Sequence, residues 1–373
     1  MTRPPAKVGD PISAVDTPAL IVDLAAMERN MEKMAEFAKR NNVRMRPHAK
    51  THKCAMVARR QLALGAVGVC CQKVSEAEAM VAAGVADVLV SNEIVGEIKV
   101  ARLAALAKEA TISVLADHPD MVAAYSAATQ RFGSELSVLV ELHSGGIRAG
   151  VHSAQAALDL ARLIDKAPGL RFGGLQAYRG HAQHIRPFEE RRDAADKWCA
   201  KVREARDLLE QNGLKCERVT GVGTGTCALE VANGIYNEIQ VGSYAFMDVE
   251  YGLNRDEEDN PVSDFEHSLF IVATVMSCNT PEFAVVDAGI KAANLDKELP
   301  RVWKRPGLSF VGAADEHGAI EIAPEADPVK LGERLWLVPG HVDPTVGLYD
   351  WMVGFRDGVV ETVWSVSARG ALS

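Results

Sequence analysis

A chain of 373 residues, 48% hydrophobic and 24% charged, is long enough for a sizeable core and for roughly two domains. Its net charge of −9 and pI near 5.6, with the basic residues scattered rather than gathered in an arm or stripe, exclude nucleic acid and anionic membrane as natural partners. Seven cysteines, odd in number and without a Cys-x-x-Cys pair, read as reduced thiols. With no apolar leader segment and no run of about twenty uncharged apolar residues, the expectation is a cytoplasmic protein.

After a short proline-rich leader, residues 17–24 read as a strand and residues 25–41 as an amphipathic helix with Met27, Met31, Met34 and Phe37 on one face. A second strand at residues 43–47 runs into Arg46-Pro47-His48-Ala49-Lys50-Thr51-His52-Lys53. The pattern repeats as a strand at 66–72, a helix at 75–83 capped by Ser75 and followed by Gly84, and a strand at 87–91. Further strands are expected at 111–116, 136–142, 171–178, 218–222 and 238–244, with helices between them, notably over 188–212. Short, nearly continuous apolar strands alternating with helices imply parallel pairing under a helical cover. About eight or nine such units fit a closed (β/α)8 TIM-like barrel better than an open doubly wound sheet.

Past Tyr251 the texture changes. Residues 254–264 are charged, contain Pro261 and read as a linker. Strand-like runs follow at 268–276, 283–287, 308–312, 334–338, 351–356 and 359–363, with turns such as Arg356-Asp357-Gly358 and no long helical pattern. The expected layout is a barrel over residues 18–252 and a smaller, mostly β domain over 265–373, with residues 1–17 packing on it.

In a barrel the chemistry gathers at the carboxyl ends of the strands. There the sequence places Lys50, Gln72, Asn92, His143, Arg148, Tyr178, Gln183 and His184. Lys50, hemmed by His48, His52 and Lys53, is expected to have its ammonium form disfavoured, as an imine-forming amine requires. Gly221-Val222-Gly223-Thr224-Gly225-Thr226 and Gly242-Ser243-Tyr244 are glycine turns with hydroxyls, whose amides can cradle a phosphate, although tight barrel turns use glycine in any case. A cofactor that needs both a lysine and a phosphate cradle is pyridoxal 5'-phosphate. In Pro339-Gly340-His341-Val342-Asp343-Pro344-Thr345, an extended backbone would put His341 and Asp343 on one side, able to hold a divalent ion; the competing reading is a turn that Asp343 caps and in which His341 packs. Asp315-Glu316-His317-Gly318 is a polar loop of the same kind.

These stretches, together with Cys70-Cys71-Gln72-Lys73-Val74-Ser75-Glu76-Ala77, Leu175-Gln176-Ala177-Tyr178 and Gly242-Ser243-Tyr244-Ala245-Phe246-Met247-Asp248, resemble the D-threonine aldolase branch of the fold-type III pyridoxal phosphate enzymes over nearly the whole chain. The resemblance implies an alanine racemase-like barrel with a β domain, in a homodimer whose active site lies near the subunit interface. It implies that Lys50 carries the cofactor, that Arg148 faces the pyridine nitrogen, that His184 is the base near the substrate hydroxyl, and that His341 and Asp343 hold a divalent metal. Gln72, Tyr178, Gly223, Thr224, Gly225, Gly242, Ser243 and Tyr244 complete the expected cofactor site.

The implied reaction cleaves a D-3-hydroxy amino acid, of the D-threonine type, to glycine and an aldehyde, with His184 taking the hydroxyl proton directly or through water. Asp343, a hard ligand, favours Mn2+ or Mg2+ over Zn2+; the related D-serine-type dehydratases pair His with the softer Cys. The segment Glu141-Leu142-His143-Ser144-Gly145-Gly146-Ile147-Arg148-Ala149-Gly150 departs from the usual pattern. His143 and Ile147 are therefore expected to reshape the pocket, and an acidic substrate such as 3-hydroxy-D-aspartate, met by His143 or Arg179, is an alternative. So is a D-serine-type ammonia-lyase on the same scaffold. More distant alternatives are an amino-acid racemase, which needs a second base across the cofactor, and a non-catalytic pyridoxal phosphate-binding protein, which has no use for a metal loop.

Overall fold

The computed structural model describes residues 3–373; Met1 and Thr2 of the leader lie outside the described residues. The first strand, β1 (Ala19–Asp23), passes directly into helix α1 (Leu24–Arg40). Asp23 caps that helix by accepting from the Ala26 amide at 3.0 Å, and Met27, Met31 and Met34 recur at the helical period and are buried together.

Among the described residues, eight strands form a parallel sheet: β2 (Arg44–Met45), β3 (Val69–Cys71), β4 (Asp87–Glu93), β5 (Thr111–Ala116), β6 (Leu136–Glu141), β7 (Leu170–Ala177), β8 (Arg218–Gly221) and β9 (Glu238–Ile239). Their order, β2-β9-β8-β7-β6-β5-β4-β3, is closed into a ring where His48 bridges Cys70 and the Cys70 amide donates to the Pro47 carbonyl at 2.8 Å. Helices α2 (Ala55–Ala63), α3 (Val74–Ala82), α4 (Glu97–Leu106), α5 (Pro119–Phe132), α6 (Ala154–Lys166), α7 (Phe188–Gln211) and α8 (Cys227–Ala232) follow the strands in turn. Because side chains alternate along a strand, Cys70 points into the barrel with Leu89, Leu115 and Leu139, while the adjacent Cys71 joins the main core. At the strand starts, buried Arg46 donates to Glu238 at 3.0 Å and to Asp87 at 2.8 Å, and Arg218 donates to Ser137 at 2.6 Å, so charge closes the barrel floor.

The carboxyl-terminal part contributes β10 (Leu269–Ser277), β11 (Phe283–Val286), β12 (Arg301–Val302), β13 (Leu308–Ala313), β14 (Gly318–Ile322), β15 (Arg334–Val338), β16 (Trp351–Arg356) and β17 (Val359–Ser365). With β1 they make a mixed sheet of nine strands among the described residues. β1 is therefore not the first barrel strand that residues 17–24 were expected to supply: it pairs antiparallel with β10 and parallel with β16. A short apolar run buried on both faces carries no mark of the sheet it will join. Asp315-Glu316-His317-Gly318 is the turn between β13 and β14, and β12 and β14 were not anticipated. The leader lies along β17, with the Gly9 amide donating to the Val360 carbonyl at 2.8 Å.

The two parts meet at the barrel mouth through the short helices α9 (Val249–Gly252) and α10 (Val342–Val346). Buried Asp248 accepts from the Tyr251 amide with one oxygen and from the Val342 amide with the other, each at 2.9 Å. The Val249 and Glu250 amides donate to Pro339 and Gly340. These bonds hang the His341–Asp343 segment over the strand ends. No helix among the described residues is long and apolar enough to cross a membrane.

Candidate active site

Lys50 sits in a 3-10 turn, Ala49–Thr51, where the chain leaves β2; His48 Nδ1 accepts from its amide at 3.4 Å. Its Nζ lies 3.2 Å from Asp343 Oδ2. The expectation of a disfavoured ammonium is not met. Asp343 raises the Lys50 pKa against the effect of burial, and the neighbouring histidines are not cations: burial holds His48 well below the ordinary histidine range and brings His52 to about 4. Lys53 turns away to pair with Glu76. Burial works to raise the Asp343 pKa, but Lys50 and His341 outweigh it and keep the carboxylate ionised.

Lys50 opens onto a pocket of about 280 Å³ at the carboxyl ends of the barrel strands. One wall is made of backbone. Gly223 and Thr224 follow β8, and Gly242 and Ser243 follow β9. A Cβ at Gly242 would lie 2.4 Å from Thr51 Oγ1, and one at Gly223 would lie 2.4 Å from Gln183 Oε1, so both turns approach too closely for a side chain. Two residues expected here stand behind the wall. The Gly225 amide donates to Gln183 Oε1 at 3.0 Å, and the Tyr244 side chain is fully buried, with its hydroxyl 3.1 Å from Gln61 Nε2. Only the Tyr244 amide serves the turn, donating to Thr224 Oγ1 at 3.2 Å.

Gln72, Arg148 and Tyr178 also line the pocket, the Tyr178 ring edge lying 3.1 Å from where a Cβ on Gly223 would sit. The Arg148 guanidinium stands 5.5 Å from the Tyr178 ring centre and 3.6 Å from Glu141 Oε1. Burial and the adjoining Glu93 push the Glu141 carboxyl up to about 9. Gln72 Nε2 lies 2.9 Å from His48 Nε2, and Ser91 Oγ lies 3.2 Å from the same nitrogen. Ser91, Gln240 and Tyr251, which no motif singled out, and Gln176, quoted in a motif but given no role, also line the pocket. Gln176 and Gln240 exchange amide hydrogen bonds of 2.7 and 3.2 Å. The signal that would have found these two is an amide at the end of an otherwise apolar strand.

His184 ends a 3-10 turn, Gly180–His184, after β7, with Nδ1 2.9 Å from Glu250 Oε1. Burial lowers its pKa to about 4; Glu250 opposes this, and Arg186 and Lys297 reinforce it. His341 and Asp343 line the same pocket, but not by the extended geometry expected of them. His341 is extended and occupies the N-cap position of α10 without a side-chain cap bond, and Asp343 already lies in the first turn of that helix. His341 Nδ1 and Asp343 Oδ1 are buried without hydrogen-bond partners, and Asp296 Oδ1 is 3.6 Å from that nitrogen. No group of three or more His, Cys, Asp or Glu side chains among the described residues is placed to hold a metal ion, so this pair supplies two donors.

The residues thought to reshape the pocket lie outside it. The His143 ring stacks on His152 with centres 4.1 Å apart, Ile147 is fully exposed, and Arg179 donates to the Ala194 carbonyl at 3.1 Å. A larger groove of about 570 Å³ runs between α4 and α5 but gathers none of the residues described above.

An amine at the mouth of a closed parallel barrel, in one pocket with two closely packed glycine turns, is the arrangement expected of a fold-type III pyridoxal phosphate enzyme. Residues 22–250 match the alanine racemase N-terminal domain family, and residues 268–355 match the putative serine dehydratase domain. The chain is 47% identical to a D-threonine aldolase of Arthrobacter sp. over 98% of this chain and 96% of that one. It is also 47% identical to a 3-hydroxy-D-aspartate aldolase of Paracoccus denitrificans (strain Pd 1222), over 98% and 95%. The crystal structure of D-threonine aldolase from Filomicrobium marinum superposes with a TM-score of 0.96 at 46% identity, covering 100% of both chains. The chain belongs to the D-threonine aldolase family, and pyridoxal phosphate is the cofactor that this membership implies.

Proposed function

We propose that the protein is a lyase that cleaves D-3-hydroxy amino acids of the D-threonine type to glycine and an aldehyde, using pyridoxal phosphate and a divalent cation. The observation that carries this reading is that Lys50 from the barrel and His341 with Asp343 from the β domain face one pocket. Bound there, pyridoxal phosphate supplies an electron sink for the pair released from the broken Cα–Cβ bond. Lys50 is the residue that would hold the cofactor, through Nζ, once the ammonium has given up its proton. The Gly223-Thr224 and Gly242-Ser243 turns offer amides and hydroxyls to its phosphate. Arg148, which does not readily give up a proton, is the residue that would face the ring nitrogen and would leave it unprotonated. His184, neutral at pH 7, accepts the proton of the substrate hydroxyl.

His341 and Asp343 fit a cation: each has a buried, unpartnered donor atom, and the hard Asp343 carboxylate, in place of a thiolate, suits Mn2+ or Mg2+, while His341 suits Zn2+ as well. A dehydratase is the second reading, favoured by the match of residues 268–355 to the putative serine dehydratase domain. The free cysteines support a cytoplasmic compartment, and the family resemblance supports a homodimer.

The deciding experiment incubates the purified holoenzyme with D-threonine, 3-hydroxy-D-aspartate and D-serine, with and without Mn2+. Metal-dependent glycine and aldehyde are expected. Keto acid and ammonia without glycine would overturn the aldolase reading, and comparing the two hydroxy acids names the preferred substrate.

A further inference from the structure

Glu250 was singled out by no motif, yet it faces the nitrogen of His184 that is turned away from the pocket. His184 Nδ1 is buried and lies 2.9 Å from Glu250 Oε1, an ion-pair approach that comes in from the side of the ring N–H direction rather than as an aligned hydrogen bond, and no other hydrogen-bond partner reaches it. Nε2 is the ring nitrogen left open to the cavity that His184 lines. Glu250 is itself held: its side chain is 7% exposed, its Oε2 is 3.1 Å from the Arg186 guanidinium, and its amide is bonded to the Gly340 carbonyl. Arg186 is in turn anchored by Asn254 Oδ1 at 3.2 Å and, from the β domain, by Glu298 Oε1 at 3.4 Å.

A neutral imidazole has one N–H and one lone pair. With a carboxylate fixed against Nδ1, the tautomer protonated at Nε2 sets two acceptors face to face, whereas the tautomer protonated at Nδ1 places a donor against the carboxylate and leaves the Nε2 lone pair facing the pocket. We propose that Glu250 is a positioning residue that locks His184 in the Nδ1–H tautomer and so aims its basic nitrogen at the substrate hydroxyl. The proposal rests on the reading that His184 takes the hydroxyl proton.

The test compares Glu250→Gln, His184→Gln and the double variant as Mn2+-loaded holoenzymes. Loss of a general base costs roughly 10²–10⁴ in kcat, the range expected for His184→Gln. Glutamine can still offer its amide oxygen to Nδ1, so Glu250→Gln should lower kcat less, with KM and the cofactor's imine absorbance unchanged, and should cost nothing further in the double variant. An equal fall in both backgrounds would mark a merely structural role and overturn the proposal. So would unchanged kcat in Glu250→Gln while His184→Gln is impaired, and that outcome leaves the base assignment standing. Unchanged kcat in His184→Gln removes the base assignment and the proposal together. Independently of any folding defect in the variants, 15N NMR of the wild-type holoenzyme at pH 8 should show His184 protonated at Nδ1; protonation at Nε2 overturns the proposal.

Discussion

Lys50 and Asp343 hold each other in their charged forms, so the free amine is stored as an ammonium rather than poised as a neutral nucleophile. Lys50→Ala should fold normally, since the side chain opens onto the pocket, and should show no imine absorbance when titrated with pyridoxal phosphate; a variant that retains the band would move the cofactor to another lysine. Asp343→Asn keeps the size and removes the charge. Losing even an outer partner of a metal site typically weakens binding about 10–100-fold, so Mn2+ affinity read by electron paramagnetic resonance should fall by at least that much. Undiminished affinity would exclude Asp343 as a ligand. At this scale the types of group were legible in the sequence: a lysine after an apolar strand, a His and an Asp in a Gly/Pro loop. Their charge states were not, because the carboxylate that sets Lys50 arrives from a distant part of the chain and the histidines beside it are neutralised by burial.

The elements bring these groups within reach by close backbone approach. The Gly242 turn lies against the turn that carries Lys50, and an added Cβ would sit 2.4 Å from Thr51 Oγ1 and 3.4 Å from the His48 side chain. Overpacking of this kind typically costs about 1–3 kcal/mol. Gly242→Ala should lose that much in urea unfolding of the apoprotein and should also bind pyridoxal phosphate more weakly; an unchanged midpoint and affinity would mean that the two turns do not constrain each other. Glycine and hydroxyl residues after a strand already pointed to such a turn. Tyr244, two residues on, shows where that reading stops: its side chain leaves the pocket for Gln61, a partner that no local pattern announces. Likewise His341 and Asp343 were legible as donors, whereas the helix that begins between them was not, since the Asp248 bond that holds its first amide comes from the barrel.

For the molecule as a whole, burial of ionisable groups ties stability to pH. Glu230 is fully buried, hydrogen-bonded to Thr226 beside the Gly223–Gly225 turn, and burial raises its pKa to about 7 although Thr226 opposes the shift. In the unfolded chain it ionises near ~4.3. Between those values the folded state binds more protons than the unfolded one, so stability falls as pH rises through the window and levels off above it. A gap of roughly 2.7 units corresponds to about 4 kcal/mol. Glu230→Gln should therefore gain on the wild type by up to that amount in urea melts at pH 8 and by little near pH 4.5; a difference independent of pH would place the ionisation elsewhere.

By itself the sequence determined the alternation of strands and helices that makes the barrel, the β character of the carboxyl-terminal part, and the chemical types that gather at the strand ends. These follow from local periodicity and from residue chemistry, which each segment carries with it. Only the tertiary structure decided that β1 leaves the barrel for the second sheet, that Asp343 governs the charge of Lys50, that His143 and Arg179 stay outside the pocket, and that Glu250 faces His184. Each of those depends on pairing between distant segments and on burial, which set the partners and pKa values of side chains and are written in no single stretch of the chain.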